Sequence, residues 1–280
     1  MILHEPELIE EYSDKGYWGD RTLLDRFAAN RAAYPDREAV VDPPNRDELV
    51  GTPPQLLSWA EFGRAVDATA AELARRGFGK DDLLVAQLPN IWELAMLYLA
   101  AAKAGGLLSA LPLQWRSKDV GYVKEITGAR FYASVESFHG FDYRALGQEL
   151  GFEHYIGLAA LTDIAHGDPG RVPEVPVDAN DIFTLCWTSG TESNPKGCPR
   201  SHNNWEYMTN LVFTTCGLRE GDRILCVAPL VNMTAVGVNY LPWLAAGGTL
   251  VLHHPITPEI LLRQLTEESI QYTILGPAML

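Results

Sequence analysis

Two patterns of apolar residues alternate along the chain. Short runs of aliphatic, β-branched and aromatic residues predict strands, and segments whose apolar residues recur three and four positions apart predict amphipathic helices. The clearest helix begins at Ser58, which has capping-box spacing to Glu61, and it ends before Gly77, which supplies a left-handed stop. Asn90 and Ser117 are predicted to cap two further helices.

Strands and helices then follow one another in successive repeats. The predicted strands are 83–88, 107–111, 130–135, 182–187, 223–228, 250–253 and 271–275. The predicted helices are 58–76, 91–103, 117–125, 201–217 and one that starts at Thr257 and Pro258. Repeated strand–helix units are typical of a parallel sheet covered on both faces. The predicted fold class is therefore α/β, with mostly parallel sheets flanked by helices.

One connection lacks apolar periodicity. Residues 166–181 include three prolines and two glycines, which indicates a surface segment. We expect a subdomain boundary there, with an N-terminal α/β subdomain over 1–178 and a second, incomplete α/β subdomain over 179–280. The chain stops soon after its last predicted strand, which suggests truncation.

Net charge and composition limit the kinds of molecule that the protein is expected to bind. The net charge of −14 disfavours nucleic acid binding, and no run of basic residues offsets it. No apolar stretch is long enough to span a membrane, and the acidic N-terminus is unlike a secretion signal, so a cytoplasmic location is expected. Irregular cysteine spacing favours reduced thiols. We interpret His253 and His254 as surface residues and His202 as a helix-start residue without a catalytic role.

The segment 188–197 follows a predicted strand and combines small hydroxyl residues, two glycines and a lysine. Backbone N–H groups and hydroxyls in such a segment bond phosphate oxygens, while an ammonium group offsets their charge. The spacing differs from the GxxxxGK[ST] loop, which disfavours kinase and GTPase interpretations. The alternative is an ordinary solvated turn.

The same segment resembles the signature Tyr-Thr-Ser-Gly-Thr-Thr-Gly-x-Pro-Lys-Gly of the adenylate-forming enzymes, and it departs from that signature at Trp187, Glu192 and Ser193. Residues 12–24 resemble the corresponding segment of aryl-acid AMP ligases of the 2,3-dihydroxybenzoate type. Further segments, among them Leu88-Pro89-Asn90, fall in the family's order. The resemblance covers nearly the whole chain.

The resemblance implies ATP-dependent activation of a small carboxylic acid. An acyl-adenylate would form with release of pyrophosphate, and the acyl group would pass to coenzyme A or to the phosphopantetheine of a carrier protein. ATP and Mg²⁺ are the implied cofactors, and a homodimer is suggested by analogy. The implied nucleotide-binding residues are Thr188, Ser189, Gly190, Thr191, Glu192, Ser193 and Lys196. The role of Glu192 stays open: action through Mg²⁺ is one interpretation of a carboxylate beside phosphates, and no metal ligand is assigned.

A second stretch, 228–237, resembles the motif that lines the family's acyl pocket. It assigns Asn232, Met233 and Val236 to the acid site, because an amide offers a donor and acceptors and the other two supply apolar wall. Asn232 is equally well interpreted as a helix cap. The N-terminal segment favours an aryl acid, whereas the loop sequence favours a coenzyme A ligase for aliphatic or alicyclic acids.

The family's adenine-binding segment, ribose-binding aspartate and catalytic lysine are expected beyond residue 280. No residue of this chain is therefore assigned as catalytic, and the fragment alone is predicted not to form acyl-adenylate. A non-catalytic relative that keeps the fold is the competing interpretation.

Overall fold

A computed structural model describes residues 1–172, 174–188, 194–255 and 257–276. The helices are α1 Pro6–Asp14, α2 Leu23–Ala33, α3 Arg46–Val50, α4 Trp59–Arg75, α5 Trp92–Lys103, α6 Ser117–Thr127, α7 Tyr143–Glu149, α8 Leu158–Ala165, α9 His202–Thr215, α10 Met233–Ala235, α11 Leu241–Ala246 and α12 Pro258–Glu267. A π-helical turn, Val236–Tyr240, joins α10 to α11.

The strands of the described residues are β1 Glu38–Val41, β2 Leu56–Ser58, β3 Leu83–Gln87, β4 Leu107–Ala110, β5 Phe131–Ser134, β6 Ser137–Phe138, β7 Phe141–Asp142, β8 His154–Gly157, β9 Ile182–Trp187, β10 Gly197–Ser201, β11 Arg223–Cys226, β12 Thr249–Leu252 and β13 Tyr272–Thr273. They form two main sheets and the short hairpin β6–β7. The larger sheet has the order β10-β9-β4-β3-β5-β8, and the smaller has the order β13-β11-β12-β1-β2.

Most strand pairs are parallel. The exceptions within the two main sheets are β2, which pairs antiparallel with β1, and β10, which pairs antiparallel with β9. Parallel strands need crossover connections, and the helices between consecutive strands supply them. The predicted α/β class with mostly parallel sheets is confirmed.

Each sheet takes strands from both sides of residue 178. Strands β1 and β2 pair with the sheet of β11, β12 and β13, whereas β9 and β10 extend the sheet built from β3, β4, β5 and β8. One apolar cluster contains buried residues from Leu23 to Leu252. The expected division into 1–178 and 179–280 therefore does not coincide with the boundary between the sheets, and it stays a prediction about domains.

Helix α5 lies at the centre of this core. Every residue from Trp92 to Ala102 is buried, and the helix packs against α4, β3, β4 and β9. Tyr240 of the π-helical turn donates a hydrogen bond to the carbonyl of Ala95 at 2.8 Å. A helix that is apolar on all sides is one that is enclosed by protein, and α5 is enclosed by α4, the larger sheet and the π-helical turn.

Local start signals are confirmed at one predicted helix and corrected at another. Ser58 accepts a hydrogen bond from the Glu61 amide at 3.2 Å, and the Glu61 carboxylate accepts one from the Ser58 amide at 2.8 Å, which completes the capping box. Ser117 is not a cap, because it is the first residue of α6 and Arg116 takes the cap position without a side-chain bond.

None of the helices in the described ranges has the length and apolar character of a membrane span.

A buried ion cluster fixes the start of α5. Arg46 is 1% exposed and forms ion pairs with Asp42 at 2.8 Å and Glu93 at 2.6 Å. Asp42 also accepts a hydrogen bond from the Trp92 amide at 2.9 Å, at the first residue of the helix. The pKa of Asp42 is raised to about 7, chiefly by burial. The positive charge of Arg46 opposes this rise, and the negative charge of Glu93 adds to it. One guanidinium therefore pairs with two carboxyl groups that have no access to water.

We predict that Arg46→Met lowers the free energy of unfolding by about 3–5 kcal/mol, because it leaves two buried carboxylates without their cation. The loss should be greater at pH 8 than at pH 5, since a buried carboxyl with a raised pKa favours the fold while it is protonated and that contribution is lost as the pH rises. Urea unfolding at the two pH values measures both effects.

Arg263→Met is the matched control, because Arg263 forms an exposed ion pair within α12. It should leave the unfolding midpoint unchanged at both pH values. Equal midpoints for Arg46→Met and the wild type would contradict the assigned role of the cluster.

Candidate functional site

A cavity of about 530 Å³ opens where the two sheets meet. Its walls come from the segments that follow β3, β4, β9, β11 and β12, and they include Asn90, Trp115, Thr188, Asn232 and His254. All five strands are parallel to a neighbour in their sheet, so the cavity lies outside their carboxyl ends. Ligands of open α/β sheets bind in crevices at this position.

Asn90 holds the two sheets together at this cavity. Its amide nitrogen donates to the carbonyls of Ala228 at 2.9 Å and His253 at 3.2 Å, and its amide oxygen accepts from the Leu230 amide at 2.8 Å. The predicted helix-capping role of Asn90 is wrong, because Ile91 takes the cap position of α5 without a side-chain bond. The 2% exposed amide instead connects the end of β3 to the ends of β11 and β12.

A second buried amide positions the wall formed after β4. Gln87, at the end of β3, donates to the carbonyls of Pro112 at 2.7 Å and Trp115 at 3.3 Å. Tyr132 donates to the amide oxygen of Gln87 at 2.7 Å. The sequence does not single out Gln87, because a glutamine at the end of an apolar strand carries no signal that it bonds to a cavity wall.

The candidate phosphate loop connects β9 to β10 in the sequence, and these two strands pair antiparallel. Gly197 lies opposite Trp187, and Thr188 and Lys196 close the loop through two bonds. The Thr188 amide donates to the Lys196 carbonyl at 3.1 Å, and the Lys196 amide donates to the Thr188 hydroxyl at 3.3 Å. The predicted residues Ser189, Gly190, Thr191, Glu192 and Ser193 lie outside the described residues.

Strand β10 was not predicted. Its sequence, Gly197–Ser201, contains Pro199, which has no N–H to donate to a partner strand. The strand is nevertheless compatible with the sheet because β10 lies at its edge. The antiparallel return of β10 places Lys196 at the root of the loop, beside Thr188, and both residues are exposed.

These two residues fit a polyphosphate. Lys196 is an exposed lysine, and no carboxylate of the described residues pairs with it. Thr188 lines the cavity as well as closing the loop. No group of three or more His, Cys, Asp or Glu residues suited to a metal ion occurs within the described chain.

The predicted acid-site residues take different positions. Asn232 and Met233 line the cavity, whereas Val236 is fully buried in the apolar core and is not among the described residues of the cavity wall. The Asn232 side-chain oxygen accepts a hydrogen bond from the Ala235 amide at 2.8 Å. Asn232 is thus the cap of α10, and its amide nitrogen, which has no partner in the described chain, remains available to the cavity.

Two tryptophans give the cavity aromatic walls. Trp187 ends β9 and donates its indole N–H to the Ser109 hydroxyl at 2.9 Å. Trp115 approaches it edge to face, with ring centroids 6.5 Å apart. Together with Met233, these rings form an apolar surface that suits a planar ring or a hydrocarbon chain.

The interpretation of His253 and His254 as surface residues is wrong. His253 is fully buried, and its ring lies 2.6 Å from the Gln264 amide oxygen, while His254 is half-buried and lines the cavity. His202 is also buried, and it accepts a hydrogen bond from the Leu23 amide at 3.2 Å, where it supports the start of α2. Burial lowers the pKa of His202 to about 4, which keeps it neutral.

The cysteines form no disulfide in this structure. Cys186 and Cys226 are buried, Cys198 is half-exposed and Cys216 is exposed. Burial raises the pKa of Cys186 to about 11, so it is not a reactive thiolate at neutral pH.

Comparison with known proteins connects this geometry to a family. The sequence model of the AMP-binding enzymes matches residues 27–280. The chain is 28% identical over 284 residues to the salicyl-AMP ligase / salicyl-S-ArCP synthetase of Mycobacterium tuberculosis, covering 96% of this chain and 49% of the relative. It is 27% identical over 289 residues to the 2,3-dihydroxybenzoate-AMP ligase of Bacillus subtilis, covering 98% and 50%.

The solved structures agree with these matches. The apo structure of Mycobacterium smegmatis MbtA superposes with a TM-score of 0.86 at 25% identity, and the match covers 99% of this chain and 52% of that one. The chain therefore spans about half the length of the curated relatives it matches.

We predict that Asn90→Ala lowers the free energy of unfolding by about 1–3 kcal/mol, because it leaves buried backbone groups of Ala228, Leu230 and His253 without a partner. Asn90→Asp should be at least as destabilising, since it places a carboxylate against two carbonyl oxygens. Chemical denaturation measures both variants. Wild-type stability in either variant would show that Asn90 does not join the sheets.

Proposed function

Because the chain belongs to the AMP-binding enzyme family, we propose that the complete protein uses ATP to convert a carboxylic acid to an acyl-adenylate and then to a thioester. The observation that carries this proposal is the position of Thr188. Its hydroxyl closes the candidate phosphate loop, and the same residue lines the cavity that would take the acid. The two substrates would meet there.

In the proposed reaction a carboxylate oxygen attacks the α-phosphorus of ATP and pyrophosphate leaves. The two anions repel each other, so the protein's main contribution is to hold them in position and to offset their charge. The Thr188 hydroxyl would donate to a phosphate oxygen, and Lys196 would supply a positive charge beside it. Ser189, Gly190, Thr191, Glu192 and Ser193 complete the proposed nucleotide site, and Mg²⁺ would neutralise phosphate charge when bound.

We propose an aryl acid as the substrate. The walls formed by Trp115, Trp187 and Met233 suit a planar ring, and Asn232 offers an amide N–H to a carboxylate or ring substituent. The names of two relatives, a salicyl-AMP ligase and a 2,3-dihydroxybenzoate-AMP ligase, support the same class. Alicyclic and fatty acids are the alternatives that remain from the loop sequence.

The acyl acceptor is a thiol. Coenzyme A and the phosphopantetheine of a carrier protein are both compatible with the proposal, and the name of the salicyl-AMP ligase includes transfer to an aryl carrier protein. A cytoplasmic location and a homodimer belong to the same proposal. The competing hypothesis is that the protein is a non-catalytic relative that keeps the fold and binds nucleotide weakly.

Lys196→Ala in the full-length protein should slow acid-dependent ATP–pyrophosphate exchange at least about tenfold, because lost charge stabilisation of about 1.4 kcal/mol has that effect on a rate. Lys118→Ala is the matched control, since Lys118 is an exposed lysine of α6 that does not line the cavity. An unchanged rate for Lys196→Ala would favour the non-catalytic interpretation.

The substrate class can be tested by measuring pyrophosphate release from full-length protein with benzoates, alicyclic acids and fatty acids, each with and without coenzyme A. We expect at least one benzoate to exceed every fatty acid by about tenfold or more in kcat/KM, a difference of about 1.4 kcal/mol in transition-state binding. A preference for fatty acids would contradict the aryl assignment and leave the adenylation chemistry in place.

A further inference from the structure

His254 presents an imidazole to the cavity, and the proposed reaction does not use it. It follows β12 and is half-buried in the wall that includes Asn90, Thr188 and Asn232. Phe138, from the hairpin β6–β7, packs against its ring with centroids 6.0 Å apart and an interplanar angle of 64°. Neither ring nitrogen has a hydrogen-bond partner in the described parts of the chain.

The neighbouring residue fixes the backbone from which this ring projects. The His253 carbonyl accepts from Asn90 at 3.2 Å, and its ring contacts Gln264 at 2.6 Å through Nδ1. The other ring nitrogen of His253 accepts from the Thr257 amide at 3.4 Å. Because adjacent side chains of an extended segment point in opposite directions, anchoring His253 towards α12 directs His254 into the cavity.

The His254 ring is neutral at physiological pH. Burial, with smaller contributions from the neighbouring His253 and His139, lowers its pKa to about 4. A neutral imidazole has one N–H donor and one acceptor nitrogen. The cavity wall therefore offers a fixed group that both donates and accepts and carries no charge.

We propose that His254 is a specificity-determining residue that selects acids bearing a hydroxyl group on the ring. A hydroxyl also donates and accepts, so it matches the neutral imidazole in both roles. An unsubstituted ring would leave the imidazole without a partner once the acid displaces water, and sites built for a hydrogen bond discriminate strongly against analogues that lack it. This inference rests on the proposed adenylation function.

The test compares kcat/KM for benzoate with that for the three monohydroxybenzoates in ATP–pyrophosphate exchange by the full-length protein. The wild type should favour at least one hydroxybenzoate over benzoate by about tenfold or more. His254→Phe keeps a ring of similar size without hydrogen-bonding atoms, and it should reduce that preference at least about tenfold while the benzoate value changes little. His254→Gln, which keeps a donor and an acceptor, should restore part of the preference.

His166→Phe is the matched control, because His166 is an exposed histidine at the end of α8 that is not part of the cavity wall. It should retain the wild-type preference. A wild-type protein that turns over benzoate and hydroxybenzoates equally would overturn the inference whether or not the variants fold. So would an equal loss for all four acids in His254→Phe.

A different result would show that the proposed adenylation function, rather than the role of His254, is wrong. Absence of exchange with every acid by the wild type would contradict the proposed function, and the inference about His254 would fall with it. Exchange with several acids but no hydroxyl preference would contradict only the inference.

Discussion

The three hydrogen bonds of Asn90 are the interaction on which the candidate site depends. Two sheets with separate strand orders converge at their carboxyl ends, and the Asn90 amide joins the end of β3 to the ends of β11 and β12. Its 2% exposure means that these bonds have no competition from water. The cavity wall after β11, and the histidine pair after β12, are therefore positioned by one side chain that contributes no chemistry of its own.

The proposed nucleotide and acid sites are neighbours because of how β9 ends. Its last residue, Trp187, forms part of the cavity wall, and the next, Thr188, begins the loop that returns as β10. The antiparallel return brings the backbone of Lys196 back beside Thr188, which lines the cavity. The charges of Arg46, Asp42 and Glu93, by contrast, are paired with one another and stabilise helix α5.

Much of the fold was predictable because periodicity and capping are local. The capping box at Ser58 and the buried strands follow from residues close in the chain. The errors concern residues whose roles depend on distant partners. Asn90 has the sequence of a cap but bonds residues about 140 positions away. His253 and His254 look polar and exposed until α12 and β6 enclose them, and β10 has the composition of a turn but is tolerated at a sheet edge.

The central claim is that the loop rooted at Thr188 and Lys196 holds phosphate while the adjoining cavity holds the acid. A crystal structure of the full-length protein with a hydrolysis-resistant aryl-sulfamoyl adenosine tests it most directly. We expect the sulfamate, which replaces the α-phosphate, to lie beside Thr188 and to accept a hydrogen bond of about 2.7–3.2 Å from it. We expect the aryl ring to lie between Trp115, Trp187 and Met233. An analogue bound away from the candidate phosphate loop, or with its ring outside this cavity, would contradict the account.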